Sequence, residues 1–421
     1  IMALLPFSGG LQQDQRVIWY YRSACCGVEA ALNDNNTNKV LVLDDEPLVL
    51  DVVAGYLASL GMEVTACGEI ESARAFLSHH RFAAVLTDLR VSALGGLEGI
   101  HLVRYVATHF PKTKVITMSG YVTPDVRAMA TAAGAAAIVE KPLDFTTLGE
   151  QIRGDHITQT AVGPAYHAPS LEDIIAQDRI TSFLQPIVKL DNPTGADDVL
   201  GFEALARVDS GSDPVLNPEI MFDYATQKQR LLETDLVCIR AALRAGQEVA
   251  PAQKLFINAQ PRSMSHRDFE DNVLEMVVAH EFTPSSVVFE ITEQRGPINQ
   301  RAFLRTIDSM RAKGFGVALD DYGEGFATLE LIDTLRPDFL KIGGNLCRDI
   351  DTDVYKQTLL SSTTEMAYKL GIPTIQECIE SRAQLNTIRK LGVEFGQGFY
   401  FAKPKASAEA LSFKLQTTEI S

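Results

Sequence analysis

From Lys39 the chain sets short apolar runs against segments with helical spacing. KVLVL (39–43) reads as a buried strand. In the PLVLDVVAGYLASLG that follows, Leu50, Val53, Leu57 and Leu60 recur at helical intervals and Gly61 supplies a stop. AAVLTD, KVITMSG and AAIVEKP are further strands with helical segments between them, and such alternation predicts a parallel sheet over residues 38–153. GDHITQTAVGPAYHAPS breaks the rhythm with Gly, Pro, Thr and Ser, so residues 154–170 are expected to be a linker. From Leu171 a second alternation begins and fills the remainder, 171–421, with strands that include VLGFEALARV, KLFINA, VVFEITE, GVALDD, FLKIG, PTIQE and FGQGFYF. That many strands over about 250 residues predicts a (β/α)8 barrel. Residues 1–37 carry no sustained period and read as a flexible arm or an upstream extension of the reading frame, with a docking role left open for Trp19-Tyr20-Tyr21.

Composition narrows the class. A chain of 421 residues with 46% hydrophobic and 22% charged positions is expected to form two or three globular domains. The net charge of -16 leaves no broad footprint for duplex nucleic acid. Cysteines at 25, 26, 67, 238, 347 and 378 show no paired spacing, which points to reduced thiols and a cytoplasmic protein. No apolar run approaches the roughly 20 residues of a membrane span, and the N-terminus lacks the basic start of a signal peptide.

Polar residues in the first block stand at strand ends: Asp44 and Asp45 after KVLVL, Asp88 after AAVLT, Ser119 after KVITM, Lys141 after AAIVE. The carboxyl ends of the strands form the ligand crevice of an open parallel sheet. Three carboxylates there would attract a hard divalent cation such as Mg²⁺, and Lys141 could pair with an anion arriving on Asp88.

In the second block, each strand sets a polar group on one face and its apolar neighbours on the other. Glu290 lies between Phe289 and Ile291, and Lys341 between Leu340 and Ile342; Asn258 follows Ile257, and Glu203 shares a face with Leu205 and Arg207. Asp320 and Asp321 are adjacent at the end of GVALDD, where the glycine-rich turn after them can aim both at one site. Glu203, Asn258, Glu290, Asp320 and Asp321 make an oxygen-only ligand set. That disfavours zinc and suits Mg²⁺ or Mn²⁺. Two such cations about 3.5–4 Å apart can share a bridging aspartate and activate a water against a phosphodiester.

The first block resembles response-regulator receiver domains through VLDDEP, LTDLRVSALGG, TMSG and EKP in order. The resemblance implies a doubly wound, five-stranded fold. It makes Asp88 the phosphoacceptor served by a cognate sensor histidine kinase, with Asp44 and Asp45 binding Mg²⁺ and Ser119 and Lys141 contacting the phosphoryl group. Val91-Ser92 replaces that family's Met-Pro, and Ile138 replaces its aromatic switch residue.

Residues from about Leu171 to Pro404 resemble the EAL-domain cyclic di-GMP phosphodiesterases. The motifs are QPI, EALAR, FINAQP, FEITE, DDYGEGFATL, LKI, QECIE and GQGFYFAKP, in that order. This implies a modified, TIM-like (β/α)8 barrel with one antiparallel strand. One metal would be held by Glu203, Asn258, Glu290 and Asp320, and a second by Asp320 and Asp321. Lys341 would hold the attacking water, with Glu377, Glu380 and Gln397 in the active site. Glu293 would anchor the loop after Asp321, and Gln185 and Arg207 would bind substrate. The sequence departs from the pattern at Gln376, at Cys378 for a glycine, at Gly343 for an aspartate two after the lysine, and at Tyr322 and Glu324. The expected function is a response regulator that hydrolyses cyclic di-GMP to linear pGpG under control of Asp88, as a homo-oligomer. A non-hydrolysing cyclic di-GMP receptor or a kinase-docking regulator is the alternative.

Overall fold

The computed structural model describes residues 38–91, 98–152, 162–176, 179–191, 198–208, 216–249, 252–292, 300–324, 329–407 and 410. Residues 1–37, with Trp19-Tyr20-Tyr21, and Glu293 lie outside the described residues.

The first domain is built in strict alternation: β1 (Lys39–Leu43), α1 (Pro47–Ser59), β2 (Glu63–Cys67), α2 (Ile70–His79), β3 (Ala84–Asp88), α3 (Gly99–His109), β4 (Lys114–Ser119), α4 (Pro124–Ala133), β5 (Ala137–Glu140) and α5 (Phe145–Ile152). After Lys39, β1 is apolar because helices cover both of its faces. Val40 and Val42 pack with Leu50, Val53, Leu57 and Leu148. Leu41 and Leu43 pack on the other side with Phe76, Leu102 and Val103.

The five expected strands are all present, and a sixth joins them. Part of the expected linker forms β6 (Ala165–His167), which pairs in parallel with β2, so the order is β5-β4-β3-β1-β2-β6. Two contacts draw it in. Tyr166 is buried against Phe76, edge to face at 6.0 Å. Gly163 passes so close to β2 that a Cβ there would lie 2.0 Å from the Met62 carbonyl oxygen, an approach open only to glycine. The Gly and Pro that suggest a linker are thus what seats an edge strand.

α6 (Leu171–Ala176) leads into the barrel. Its strands are β7 (Ile180–Lys189), β8 (Val199–Val208), β9 (Lys254–Asn258), β10 (Val287–Thr292), β11 (Gly316–Tyr322), β12 (Phe339–Ile342), β13 (Thr374–Gln376) and β14 (Phe395–Gly396), closed in that order. β7 runs antiparallel to both neighbours and every other pair is parallel. Around it lie α7 (Pro218–Gln227), α8 (Leu231–Ala245), α9 (Pro261–Met264), α10 (Phe269–Ala279), α11 (Gln300–Ala312), α12 (Leu329–Leu335), α13 (Gly344–Cys347), α14 (Val354–Leu370) and α15 (Arg382–Lys390). FGQGFYF is strand only over its first two residues, because the chain then turns back with Phe401 and Ala402 donating to the Gly398 carbonyl.

The two domains share one apolar core. Phe76 and Val103 on the receiver side belong to the same cluster as Ile220, Tyr224 and Val237 on the barrel side. α2 lies on α7, and the rim is polar. The Tyr224 hydroxyl donates to Glu69, Lys228 Nζ pairs with Glu69 at 3.1 Å, and His79 Nε2 sits 2.7 Å from Asp223 Oδ2. Among the described residues no helix is long and apolar enough to cross a membrane.

Candidate active site

A period of two builds the barrel site. Inside the barrel Ile187, Phe256, Val288, Ala318 and Ile375 form a small apolar plug, with Phe339 and Phe395 packed against it. Two residues along each of these strands the side chain returns to the interior. Those next inward positions are Gln185, Asn258, Glu290, Asp320, Lys341, Glu377 and Gln397. Glu203 joins them from β8, paired across from Gln185. The apolar layer closes one end of the barrel, and the polar layer above it can be reached only from the other.

Lys341 is the centre of this layer. It is fully buried, with Nζ 2.7 Å from Glu290, 2.8 Å from Glu377, 2.9 Å from Asp320 and 3.4 Å from Glu203. Burial works against its charge, but Asp320, Glu203, Glu290 and Glu377 outweigh it and hold the ammonium well above its ordinary range. Burial and the neighbouring Glu203 push Glu290 well up, and burial raises Asp320. Glu203 is held low: burial opposes this, and Lys341 and the Gln397 amide overcome it.

Amides complete the layer. Asn258 Nδ2 donates to Glu290 at 3.1 Å and to Glu203 at 3.3 Å. Gln397 Nε2 donates to Glu203 at 2.6 Å and to Gln185 Oε1 at 3.0 Å, and Gln185 Nε2 donates to the Ala402 carbonyl at 2.9 Å. Gln185 is 1% exposed, so its amide is engaged within the barrel wall. Gln376, a departure from the EAL pattern, is also buried, with its Nε2 2.9 Å from the Ile342 carbonyl and 3.2 Å from that of Gly343.

The paired aspartates turn toward one site. β11 shifts register between Leu319 and Tyr322, and Asp321 takes a left-handed φ of 56°. On a regular strand its side chain would leave the interior. Here carboxylate oxygens of Asp320, Asp321 and Glu377 all come within 4.8 Å of one another. Burial, Asp320 and Glu324 together push Asp321 up to about 8. Such crowding of carboxylates, with an amide beside them and no histidine or cysteine in the group among the described residues, fits a hard divalent cation.

Two candidates stand apart. Glu380 is exposed, its backbone N–H donates to Gln384, and the structure does not bring it into the carboxylate layer. Arg207 is half-buried, donates to its neighbour's carbonyl at Ala206, and places its guanidinium 5.5 Å from the Phe183 ring centroid. Glu324, not among the expected site residues, accepts from the Asn345 N–H at 3.0 Å. Its only signal in the sequence is a charge inside the glycine-rich turn.

In the first domain, Lys141 Nζ bridges Asp44 at 2.8 Å and Asp88 at 2.7 Å. Asp44 is wholly buried, which raises its pKa despite Lys141, and Asp88 is 7% exposed. Asp44, Asp45 and Asp88 can bring carboxylate oxygens within 4.8 Å of one another. The Ser119 hydroxyl donates to the Tyr121 carbonyl at 3.1 Å, and Ile138 is half-buried on β5.

Comparison with known proteins agrees with both halves. The response regulator receiver domain matches residues 40–153, and the EAL domain matches residues 169–404, more than half of the chain. The cyclic di-GMP phosphodiesterase RocR of Pseudomonas aeruginosa is 26% identical over 91% of this chain and 99% of its own length. The probable cyclic di-GMP phosphodiesterase PdeA of Escherichia coli is 24% identical over 57% of this chain, which spans 32% of that protein. Among solved structures, the EAL enzyme Bd1971 in its cAMP- and cyclic di-GMP-bound form matches with a TM-score of 0.52 and 26% identity, over 57% of this chain and 67% of that one. The chain belongs to the EAL-domain family, with a response-regulator receiver domain preceding the EAL barrel.

Proposed function

We propose that this chain hydrolyses cyclic di-GMP to linear pGpG at the polar layer of its barrel, and that phosphorylation of Asp88 by a cognate sensor histidine kinase modulates the rate. The observation that carries the reading is the convergence of four carboxylates on Lys341, with Asp321 turned in beside them. RocR, which matches across both domains, is itself described as a cyclic di-GMP phosphodiesterase.

Glu203, Asn258, Glu290 and Asp320 would hold one Mg²⁺ or Mn²⁺, and Asp320 with Asp321 a second. Such a pair supplies an activated water and neutralises charge on the phosphodiester. Lys341, fixed by the carboxylates around it, orients that water. Glu377 would accept its proton. Gln185 holds Gln397, and Gln397 holds Glu203, so both act from within the wall. Arg207 meets the substrate phosphate, Glu380 contributes at the mouth, and Glu293 anchors the loop after Asp321.

In the receiver, Asp44 and Asp45 would hold Mg²⁺, while Ser119 and Lys141 meet the phosphoryl oxygens. Lys141, already against Asp88, offsets the added charge of roughly -1.5 to -2. The reading includes a cytoplasmic protein and a homo-oligomer, the latter supported by exposed Val354, Tyr355 and Leu359 on α14. The test uses the purified chain with Mg²⁺ or Mn²⁺ and cyclic di-GMP, with and without a small phosphodonor, and identifies the product chromatographically. Formation of pGpG is expected. Binding without turnover would replace this reading by that of a receptor.

A further inference from the structure

The turn that carries Asp321 is held by a residue from outside the polar layer. Asp321 has a left-handed φ of 56°, a conformation that costs an L-residue free energy, though Asp less than most. Backbone bonds help to hold the turn: Glu324 N–H donates to the Asp321 carbonyl at 3.0 Å, and Gly343 N–H donates to the Tyr322 carbonyl at 3.1 Å. The Glu324 side chain adds a further bond. It leaves the turn, passes the end of β12, and accepts from the Asn345 N–H at the start of α13 through Oε1.

Its path runs directly over Gly343. A Cβ on residue 343 would lie 2.3 Å from Glu324 Cγ and 2.7 Å from Cδ and Oε1, and these three are the atoms nearest to it. No larger residue at 343 is compatible with the carboxylate where it lies. The position where the EAL pattern carries an aspartate is bare here, and a carboxylate enters the same space from the turn.

We propose that Glu324 and Gly343 form a matched pair that pins the Asp320–Asp321 turn to the start of α13, and that Glu324 is thereby a positioning residue for divalent-cation binding. This rests on the reading of Asp321 as a metal ligand. Glu324 works through backbone geometry: it fixes where Asp321 points relative to Asp320 and Glu377. Partners outside the ligand shell of this kind change metal affinity by about 10–100-fold when removed.

The experiment titrates Mn²⁺ into the full chain and follows binding by the paramagnetic signal of free Mn²⁺, independently of hydrolysis. Four variants are compared with the parent: Glu324→Ala, Glu324→Gln, Gly343→Ala, and Glu324→Ala combined with Gly343→Ala. Melting in chelator is recorded for each. Glu324→Ala is expected to weaken one class of Mn²⁺ site by about tenfold or more. Glu324→Gln keeps the acceptor oxygen and should stay close to the parent. Gly343→Ala should resemble Glu324→Ala, because the new methyl expels the carboxylate. Once Glu324→Ala has been made, adding Gly343→Ala should have almost no further effect, since the three atoms nearest the new methyl are gone. Parental Mn²⁺ affinity in Glu324→Ala overturns the proposal, as do additive losses in the double variant or losses that merely follow the melting temperature in chelator. A parent that binds Mn²⁺ and hydrolyses cyclic di-GMP while Glu324→Ala binds normally leaves the active-site reading intact and removes only the clamp. A parent that binds no Mn²⁺ removes both.

Discussion

Replacing Lys341 by methionine keeps the length and apolar stem of the side chain and deletes one charge at the centre of the barrel. Four carboxylates lie within 3.4 Å of that charge and Lys341 is fully buried, so the ammonium is the counter-charge they meet at the centre of the layer. Breaking a buried ion pair from one side costs about 3–5 kcal/mol, because the remaining charge is left uncompensated. For a barrel of this size that corresponds to a fall in melting temperature on the order of 10 °C. With divalent cations chelated and at neutral pH, Lys341→Met should melt lower by about that amount.

Acid should narrow the gap. Glu290 and Asp320 already sit above their ordinary range in the folded protein through burial, and losing Lys341 raises them further. Groups whose folded pKa exceeds the unfolded one bind more protons in the folded state, so the variant gains stability as pH falls from neutrality toward about 5. Saturating Mn²⁺ should close most of the gap at neutral pH, because the cation replaces the missing charge. The measurement is a melting curve at several pH values, with chelator and with Mn²⁺. Equal melting temperatures for variant and parent at neutral pH in chelator would show that Lys341 does not balance the carboxylates, and the proposed architecture of the site would fall with it.

Ca²⁺ should inhibit turnover supported by Mg²⁺ or Mn²⁺, since its longer bonds to oxygen do not suit two cations sharing Asp320; undiminished rates in millimolar Ca²⁺ would refute this. Cys378 holds a left-handed φ of 57°. Cys378→Gly should therefore be neutral or stabilising by up to about 1 kcal/mol in urea melts, the relief of strain being partly offset by glycine's greater unfolded entropy. Glu69→Ala removes the acceptor for Lys228 and the Tyr224 hydroxyl, and should cost about 1 kcal/mol given partial exposure, with faster proteolytic cleavage between the domains. Phosphorylation of Asp88 should change hydrolysis by about tenfold or less, some 1.4 kcal/mol of coupling, and Asp88→Asn should abolish the change. A hundredfold change lost in that control would refute the limit.

Much of the site is legible in the sequence because a period of two cannot be hidden. Val288 and Glu290, or Phe256 and Asn258, announce the same face at adjacent levels, one apolar and one polar, and the barrel stacks them. Asp320 and Asp321 are legible as a pair because adjacency followed by glycine allows one of them to turn. What holds the turn is not legible: the Glu324 tether depends on the space above Gly343, a contact between positions 19 residues apart that neither pattern reveals. β6 fails for the opposite reason. Three residues are too few for any period, and Gly163 and Pro164 read as a break when they form the approach to an edge strand. The depth of Gln185 is not legible, because it is set by β7 running against its neighbours.

The domain contact bears on how a phosphoryl group at Asp88 is felt at Lys341. In the receiver sheet, β5 with Ile138 forms one edge and β6 the other, and it is α2, packed beneath the β1–β2–β6 side, that meets α7 of the barrel. α7 packs on β8, the strand that carries Glu203. Lys141 ties Asp88 to Asp44 at the end of β1, and Leu41 and Leu43 of that strand share a core with Ile220 and Tyr224 of α7. The short packed route to the active site therefore runs through β1, α2 and α7 and does not pass the β5 edge. A ring at position 138 would sit on the edge strand opposite β6. Its replacement by isoleucine removes a device from the far edge while leaving the route toward β8 intact. That route is a packed core. A packed core transmits a change only through the difference in free energy between its arrangements, and a close-packed interior, Phe76 and Tyr224 included, leaves little room for a second one. The same packing that joins the domains firmly is thus the reason the coupling between them should be modest.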